Sequence, residues 1–120
     1  MPILNVEIVG EEQDFAQNLA QQIADAAGEV LESRPQGTWV RLSYLSARNY
    51  AENTGADPTV TPVFVSVILS EVPETQVLRT RVSSLARAIA SVLSANPENV
   101  HILIEPPAKG RIAFGGKLVE

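Results

Sequence analysis

Side chains capable of chemistry are scarce in this chain of 120 residues, and their types exclude many familiar catalytic sites. There is no cysteine, which rules out a thiol nucleophile, a disulfide scaffold and a cysteine-based zinc site. The single histidine, His101, excludes a multi-histidine metal site within one chain. The Gly115-Gly116 pair lacks the Lys-Ser/Thr that completes a phosphate-binding loop, so we interpret it as a turn with positive φ.

Composition and charge indicate a globular, acidic protein. Hydrophobic residues make up 45% of the chain and charged residues 19%, which is typical of a protein with a core and not of a disordered or fibrous chain. The net charge of -5 argues against a nucleic-acid partner. No apolar run approaches the roughly 20 residues that span a bilayer, and the N-terminus does not resemble a signal peptide. We therefore expect a cytoplasmic protein without a membrane partner.

The hydrophobic pattern predicts the element order β-α-β twice. Short β-branched runs indicate the strands, and apolar positions at steps of three and four indicate two amphipathic helices. The strands are expected at residues 2–9, 38–45, 62–69 and 99–104, and the helices at 13–31 and 74–93. The segment between the second and third strands, residues 46–61, is polar and is interpreted as a connector. The C-terminal tail is rich in turn residues.

This order predicts an internal duplication within a single domain over residues 1–120, with halves 1–61 and 62–120. Pro2 and Pro62 begin matching strands, and the separation between these two prolines equals the separation between Val40 and Val100. The apolar positions of the two helices match at a slightly larger spacing. The alternative is that any chain with this element order looks self-similar.

The same order predicts an α+β fold with a four-stranded mixed sheet and two helices on one face. A helical crossover makes the two strands of each β-α-β unit parallel and gives the unit a right-handed connection. The first strand of each half is interpreted as apolar on both faces. Because two helices cover only one face, we expect the other face to pack against neighbouring subunits.

The sequence resembles the tautomerase superfamily. A proline directly follows Met1, and Val100–Leu118 (VHILIEPPAKGRIAFGGKL) is similar to the closing strand and C-terminal hairpin of 4-oxalocrotonate tautomerase. The duplicated length resembles the branches of macrophage migration inhibitory factor and cis-3-chloroacrylic acid dehalogenase, which form trimers. The resemblance covers essentially the whole chain. It implies a homotrimer that needs no metal or organic cofactor.

Pro2 is the catalytic candidate that the resemblance implies. In this superfamily the initiator methionine is removed, and the proline nitrogen becomes a free secondary amine. The pKa of an α-amino group is ordinarily roughly 8, and partial burial or nearby cations lower it. Such an amine acts as a general base that takes a proton next to a carbonyl and returns it elsewhere. The alternative is that Pro2 only begins an edge strand. Pro62, taken as its match, is internal and has an amide nitrogen.

Arg41 and His101 occupy matching positions on the second strand of each half. Arg41 aligns with the superfamily arginine that binds a substrate carboxylate, a task that suits the guanidinium fork. The alternative for Arg41 is a surface ion pair. His101 is a candidate for binding a substrate oxygen, or else a structural histidine.

The C-terminal segment contains two further candidates for substrate binding. Arg111 follows Gly110 in a segment that the superfamily uses near the active site, and the alternative is simple solvent exposure. Phe114 is expected either to line the pocket or to pack at a subunit contact. Ile112 stands where 4-oxalocrotonate tautomerase has an aromatic residue, so that feature is altered here.

One superfamily feature is absent, and it narrows the expected substrate. The second arginine, just after the first strand, is replaced by Glu11, and Glu71 stands there in the second half. A small-molecule monocarboxylate or aryl keto acid is therefore expected in place of a dicarboxylate. The expected activity is that of a tautomerase, with Pro2 and Arg41 as catalytic residues. The alternatives are a related dehalogenase or decarboxylase with protonated Pro2, or a non-catalytic protein of this fold.

Overall fold

The computed structural model describes residues 1–120 and contains one four-stranded sheet, two helices and a small hairpin. The sheet strands are β1 (Ile3–Val9), β2 (Trp39–Leu45), β3 (Val63–Ile68) and β4 (Val100–Ile104). The helices are α1 (Leu19–Val30) and α2 (Thr75–Leu93), and the hairpin strands are β5 (Ala113–Phe114) and β6 (Lys117–Leu118). Neither helix combines the length and the apolar character that a membrane crossing requires.

The strand order is β2-β1-β3-β4, and the sheet is mixed, as predicted. The β1–β2 and β3–β4 pairs are parallel, whereas the central β1–β3 pair is antiparallel. The two β-α-β units therefore run in opposite directions and create two distinct ends of the sheet. The Pro2 end comprises the starts of β1 and β2, the ends of β3 and β4, and the hairpin. The Pro62 end comprises the starts of β3 and β4 and the ends of β1 and β2.

The core lies between one face of the sheet and the two helices. Alternate residues of the central strands point toward the helices because side chains alternate along a strand. They pack there against buried residues on the inner faces of the two helices. The main core residues of the strands are Leu4, Val6, Ile8, Val63, Val65 and Val67, and those of the helices are Ile23, Ala27, Leu85 and Ile89. Full burial of an aliphatic side chain of this size contributes roughly 1.5–3 kcal/mol to folding.

The opposite face of the sheet is open, and its composition corrects one expectation. β1 presents Ile3, Asn5 and Glu7 on this face, so the first strand is not apolar on both sides. The exposed large hydrophobic residues on the open face are Trp39, Phe64 and Leu103. The open face is therefore a mixture of aromatic, aliphatic and polar groups.

The prediction that the first helix begins near residue 13 is wrong, because α1 begins at Leu19. Residues Glu12–Asp14 form a short 3₁₀ turn, and Phe15 follows in an extended conformation with φ -122 and ψ 159. The Phe15 ring packs on Tyr44 with ring centroids 5.5 Å apart. This aromatic contact lies outside the helix, although Phe15 continues the helical spacing of apolar residues. The second helix agrees with its prediction to within one residue.

The strand register also corrects the proposed match between the two prolines. Leu4 pairs with Val40 in the β1–β2 ladder, and Val63 pairs with Val100 in the β3–β4 ladder. Since Val40 and Val100 correspond, Leu4 corresponds to Val63, and Pro62 is therefore the counterpart of Ile3. The position equivalent to Pro2 is one residue earlier than the sequence comparison placed it, at Thr61.

Candidate active site

The segment after β4 brings the hairpin to the Pro2 end. The backbone N–H groups of Glu105, Ala108 and Lys109 donate to carbonyl oxygens of Val67, Leu69 and Ser70 at 3.0, 2.9 and 3.0 Å. Since Ile68 pairs with Ile3, this path ends beside the start of β1. The hairpin then turns at Gly115-Gly116, where φ is 59 and 84, which confirms the turn with positive φ.

Pro2 itself is half-buried, and its carbonyl oxygen accepts a hydrogen bond from the Trp39 backbone N–H at 3.0 Å. Five surface cavities of about 290 to 670 Å³ are lined by other residues, and Pro2 lines none of them. A single chain thus surrounds Pro2 only partly. A closed pocket here needs additional surface, such as that of a neighbouring subunit.

Trp39 is the residue at this end that sequence reasoning did not select. Its indole ring meets Phe114 of the hairpin edge-to-face, with centroids 5.3 Å apart, and its Nε1–H donates to the Gln36 carbonyl oxygen at 3.0 Å. The available signal was that the only tryptophan of the chain stands two residues before Arg41, on the same face of β2. Phe114 therefore does reach the Pro2 end, as one of its two predicted roles requires.

The Arg111 guanidinium makes most of its hydrogen bonds within its own chain. Its Nε donates to the Pro107 carbonyl oxygen at 3.2 Å, and its Nη2 donates to the carbonyl oxygens of Pro106 and Pro107 at 3.1 Å each. These bonds hold the Pro106-Pro107 turn against the hairpin. Only Nη1 has no partner within the chain, so a structural role accounts for most of this guanidinium.

Arg41 has the opposite character, since its exposed guanidinium forms no hydrogen bond or ion pair within the chain. It projects from the open face opposite Asn5. Asn5 is three residues beyond Pro2, which corresponds to about 10 Å along the strand. The surface ion pair that was the alternative for Arg41 is not present within the chain, and the group is available to an external carboxylate.

His101 lies at the Pro62 end, far from Pro2 of the same chain. Its ring packs against Phe64 at 5.3 Å, and Phe64 in turn packs against Tyr50 at 5.9 Å. The Tyr50 hydroxyl donates to Glu52 Oε2 at 2.7 Å, and this hydrogen bond is the main reason that the pKa of Tyr50 is raised. Within one chain, His101 is too far from Pro2 to bind the same substrate. Substrate binding by His101 stays a prediction for a pocket in which one subunit supplies Pro2 and another supplies His101.

Carboxylates near the Pro2 end have partners within the chain. Glu71, at the place of the missing arginine in the second half, forms an exposed ion pair with Lys109 at 3.2 Å. Glu105 accepts a hydrogen bond from the Ser66 hydroxyl at 2.7 Å in a part-buried position. Glu11, at the same place in the first half, is exposed at the other end of the sheet. Nowhere in the chain do three or more His, Asp or Glu side chains cluster in a way that could hold a metal ion.

Comparison with solved structures identifies the fold. The chain superposes on fused 4-OT, a 4-oxalocrotonate tautomerase described as an asymmetric trimer, with a TM-score of 0.78, 19% identity, and coverage of 98% of this chain and 95% of that one. It also matches macrophage migration inhibitory factor from Trichinella spiralis with a TM-score of 0.72, 10% identity, and coverage of 97% and 98%. A malonate semialdehyde decarboxylase inhibited by 3-bromopropiolate gives a TM-score of 0.71 at 18% identity, with coverage of 94% and 88%.

These structures share the tautomerase superfamily fold, and this chain has that fold over nearly its whole length. The resemblance drawn from the proline and the hairpin motif is therefore confirmed at the level of the fold. Scans of the sequence against protein-family models and against curated proteins found no match. The identities of the structural matches are low, so they establish the architecture and leave the reaction to the residues of the site.

Proposed function

We propose that this protein is a cofactor-independent tautomerase, an isomerase that acts on a keto-enol or unsaturated 2-oxo acid. The observation that carries the proposal is a tautomerase fold in which Pro2 directly precedes β1, at the end of the sheet reached by Trp39 and the hairpin. After removal of Met1, Pro2 has a free secondary amine. The fused 4-OT structures are trimers, and a homotrimer would also supply the surface that one chain lacks around Pro2.

In the proposed reaction the Pro2 nitrogen removes a proton from the carbon next to the substrate carbonyl. The resulting enolate takes the proton back on oxygen or on another carbon, so the amine is regenerated unprotonated. The half-buried position of Pro2 supports this role, because desolvation lowers the pKa of an amine. While Met1 is attached, the same nitrogen is an amide and has no basicity.

Arg41 is the proposed carboxylate ligand. Its unpartnered guanidinium offers paired N–H donors to the substrate, and a positive charge beside a developing enolate stabilises it. Lys109 and Arg111 supply cationic groups at the Pro2 end, although both already bind groups of their own chain. With Glu71 where a second arginine would stand, one strong carboxylate site remains, which favours a monocarboxylate.

A second candidate reaction uses Pro2 in its protonated form. In a hydrolytic dehalogenase a carboxylate would activate water, and the proline ammonium would donate a proton to the substrate. In a decarboxylase the ammonium would donate a proton to the carbon from which CO2 leaves. Glu105 near the Pro2 end favours this alternative, as does the structural match to malonate semialdehyde decarboxylase. The pKa of the proline nitrogen discriminates, since a value near or below about 7 suits the base and a value of about 9 suits the acid.

The test combines mass spectrometry with kinetics. Intact mass reports whether Met1 is removed, and treatment with 3-bromopropiolate reports whether the Pro2 nitrogen is nucleophilic. We expect a processed protein, one covalent label at Pro2, and turnover of phenylpyruvate or 2-hydroxymuconate. A protein from its native cells that retains Met1, or turnover that is unchanged in Pro2→Ala, would contradict the proposal and favour a non-catalytic binding protein.

A further inference from the structure

We propose that the outer faces of the two helices form a self-complementary contact, in which a second copy of this chain places its α2 on α1 and its α1 on α2. The helices cover the face of the sheet opposite the open face, so they lie on the outside of the proposed homotrimer. The second copy therefore belongs to another trimer. The contact is independent of the reaction proposed at Pro2.

The two helices carry charges of opposite sign. α1 contains Asp25 and Glu29 and no basic residue, whereas α2 contains Arg79, Arg81 and Arg87 and no acidic residue. The chain as a whole has a net charge of -5, so the basic character of α2 is local. A two-fold contact between identical chains needs a surface that complements itself, and a pair of neighbouring helices with opposite charges provides one.

The exposed charges of both helices lack partners of opposite charge within the chain. The one ion pair between the two helical segments joins Arg81 to Glu32, just after α1, at 3.6 Å. Arg87 donates only to the hydroxyl groups of two serines of its own helix, and Arg79 donates only to a glutamine. The two acidic side chains of α1 form no ion pair. These exposed charges are therefore available to another chain.

The charges select one of two possible two-fold arrangements of the helix layers. Because β1 and β3 are antiparallel, α1 and α2 also run in opposite directions. A two-fold axis parallel to the helices places α1 of one copy over α2 of the other. A two-fold axis across the helices places α1 over α1 and α2 over α2, which opposes like charges at a high cost in free energy. Only the first arrangement brings opposite charges together.

A groove beside α1 provides room for an arginine of the second copy. It has a volume of about 670 Å³ and lies between α1 and β2, on the flank of α1 that faces away from α2. Small residues of α1, including Ala24 and Gly28, leave this space open. Asp25 and Glu29 line the groove, and Arg34 is the only basic side chain in its wall. The groove is therefore suited to a guanidinium.

The positions of Arg79 and Arg87 on α2 match these acidic groups. Arg81 faces α1, as its ion pair indicates, and Arg79 is rotated from it by about 200°, so Arg79 lies on the opposite flank of α2. In the selected arrangement this flank lies above the groove beside α1. Arg87 is exposed about 12 Å further along the helix and can reach Asp25 and Glu29 of the second copy. The two-fold axis repeats both sets of contacts.

The size of the helix layer predicts a weak contact. α1 has 12 residues and α2 has 19, which correspond to lengths of about 18 and 28 Å. Two neighbouring helices are together about 20 Å wide. A face of about 20 by 20 Å is at the lower end of specific protein interfaces. We therefore expect association only at high protein concentration and with a strong dependence on salt.

Sedimentation velocity of the full chain tests the contact at concentrations up to about 1 mM, the weak end of measurable affinities. In about 0.1 M NaCl the weight-average sedimentation coefficient should rise with concentration above that of the basal assembly, since charges more than about 10 Å apart are screened and the net repulsion is small. In about 1 M NaCl the rise should disappear, because the screening length is then about 3 Å. Association that persists in high salt would overturn the proposal.

Charge reversal tests the pairing of the two helices. Arg79→Glu/Arg87→Glu gives a chain with two acidic helices, and Asp25→Lys/Glu29→Lys gives a chain with two basic helices. Each variant alone should associate at least about 100-fold more weakly, because like charges then face each other. An equal mixture of the two should associate again, since each helix finds its complement on the other variant. Both variants keep a net negative charge, so overall attraction does not explain this recovery.

Arg48→Glu is the matched control for Arg87→Glu, because it makes the same change in charge at an exposed residue outside the helices. It should leave association nearly unchanged, and thermal unfolding verifies that each variant is folded. An equal loss in Arg48→Glu and Arg87→Glu, or a mixture of reversed variants that does not associate, would overturn the contact. Saturable binding of labelled poly-glutamate to α2 without any self-association would assign this face to an acidic partner instead of a second copy.

Discussion

The two ends of the sheet are built from the same β-α-β framework but carry different chemistry. At the Pro2 end, the strand is preceded by a residue whose nitrogen can become a free amine. The Trp39 backbone N–H bonds to Pro2, and the Trp39 ring packs on Phe114 of the hairpin. At the Pro62 end, the corresponding strand begins inside the chain, and Tyr50, Phe64 and His101 form a row of packed rings. Function is therefore expected from the chain terminus and the added hairpin, since the framework itself is common to both ends.

A shift of one residue separates the two ends further. The ladders make Pro62 the counterpart of Ile3, and Pro62 is buried whereas Pro2 is half-buried. The two prolines look alike in the sequence, since each directly precedes a strand, but they differ by one residue relative to the ladders of their halves. Similarity between the halves thus describes the scaffold and does not extend to the proposed site.

The largest expected effect comes from replacing one proline at each end. Pro2→Ala should lower kcat/KM for the keto acid by about 10²- to 10⁴-fold, because it alters the proposed general base. Pro62→Ala should leave kcat/KM within about threefold, since an amide nitrogen takes no proton. Steady-state kinetics on folded, processed proteins checks both. An equal loss in the two variants would remove the functional distinction between the ends.

The helices offer the next test, because there the two halves should behave alike. Ile23 and Leu85 occupy equivalent buried positions in α1 and α2, with 0% and 2% exposure. Replacing either by alanine should lower the free energy of unfolding by about 2–5 kcal/mol. Urea unfolding at one fixed protein concentration measures this, with exposed Val77→Ala expected to change stability by less than about 0.5 kcal/mol. A small effect at only one buried position would show that the two halves of the core are unequal.

The third comparison concerns the matching residues of β2 and β4. Arg41→Ala should lower kcat/KM for a monocarboxylate about 10- to 100-fold, since a hydrogen bond to a charged group contributes about 1.5–3 kcal/mol. KM should rise through loss of the carboxylate bond, and kcat should fall through loss of the charge beside the enolate. His101→Ala should change kcat/KM by less than about threefold, because His101 packs on Phe64 at the other end. A comparable loss in His101→Ala would show that a partner subunit brings its histidine to the Pro2 pocket.

A smaller effect is expected in the hairpin, which only the Pro2 end possesses. Arg111→Ala removes the hydrogen bonds to the Pro106 and Pro107 carbonyl oxygens and should loosen β5 and β6 by about 1 kcal/mol. Hydrogen exchange of the amides at 112–119 should become several-fold faster. Lys109→Ala is the control, because its exposed ion pair with Glu71 contributes little. If the amide exchange rates were unchanged in Arg111→Ala, the structural role would be contradicted. Substrate binding through Nη1 would then be the remaining role for this arginine.

The smallest effect concerns pH at the Pro62 end. Neutral Tyr50 donates to Glu52, and this hydrogen bond raises the pKa of Tyr50 above its ordinary value. Its contribution to stability is therefore fully present below the ordinary pKa of about 10 and is lost as the pH rises through the raised value. Thermal unfolding between pH 9 and 11, about this pKa, should show a slightly steeper decline for the native protein than for Tyr50→Phe. Identical profiles would show that the hydrogen bond adds nothing to stability.

Much of the fold could be predicted because it depends on local periodicity. The short β-branched runs located the four sheet strands to within one residue at each end, and the helical spacing located α2 equally well. The same reasoning failed at Phe15, whose spacing fits a helix. Its ring packs on Tyr44, and a contact between residues so far apart in sequence has no local signal. The register of β3 against β4 was missed for a similar reason, since hydrogen-bonded ladders and not strand-initial prolines set it.

The sequence by itself determined which chemistry is available: no thiol, one histidine, a proline after Met1, and an arginine in a strand that has no acidic residue. These are properties of composition and order, so they need no coordinates. Only the tertiary structure decided which of these groups meet. It set Trp39 beside Pro2 and Phe114 against Trp39, bonded Arg111 to the carbonyl oxygens of Pro106 and Pro107, and left Arg41 without a partner. Strand pairing and the path of the hairpin bring together residues that are distant in the chain.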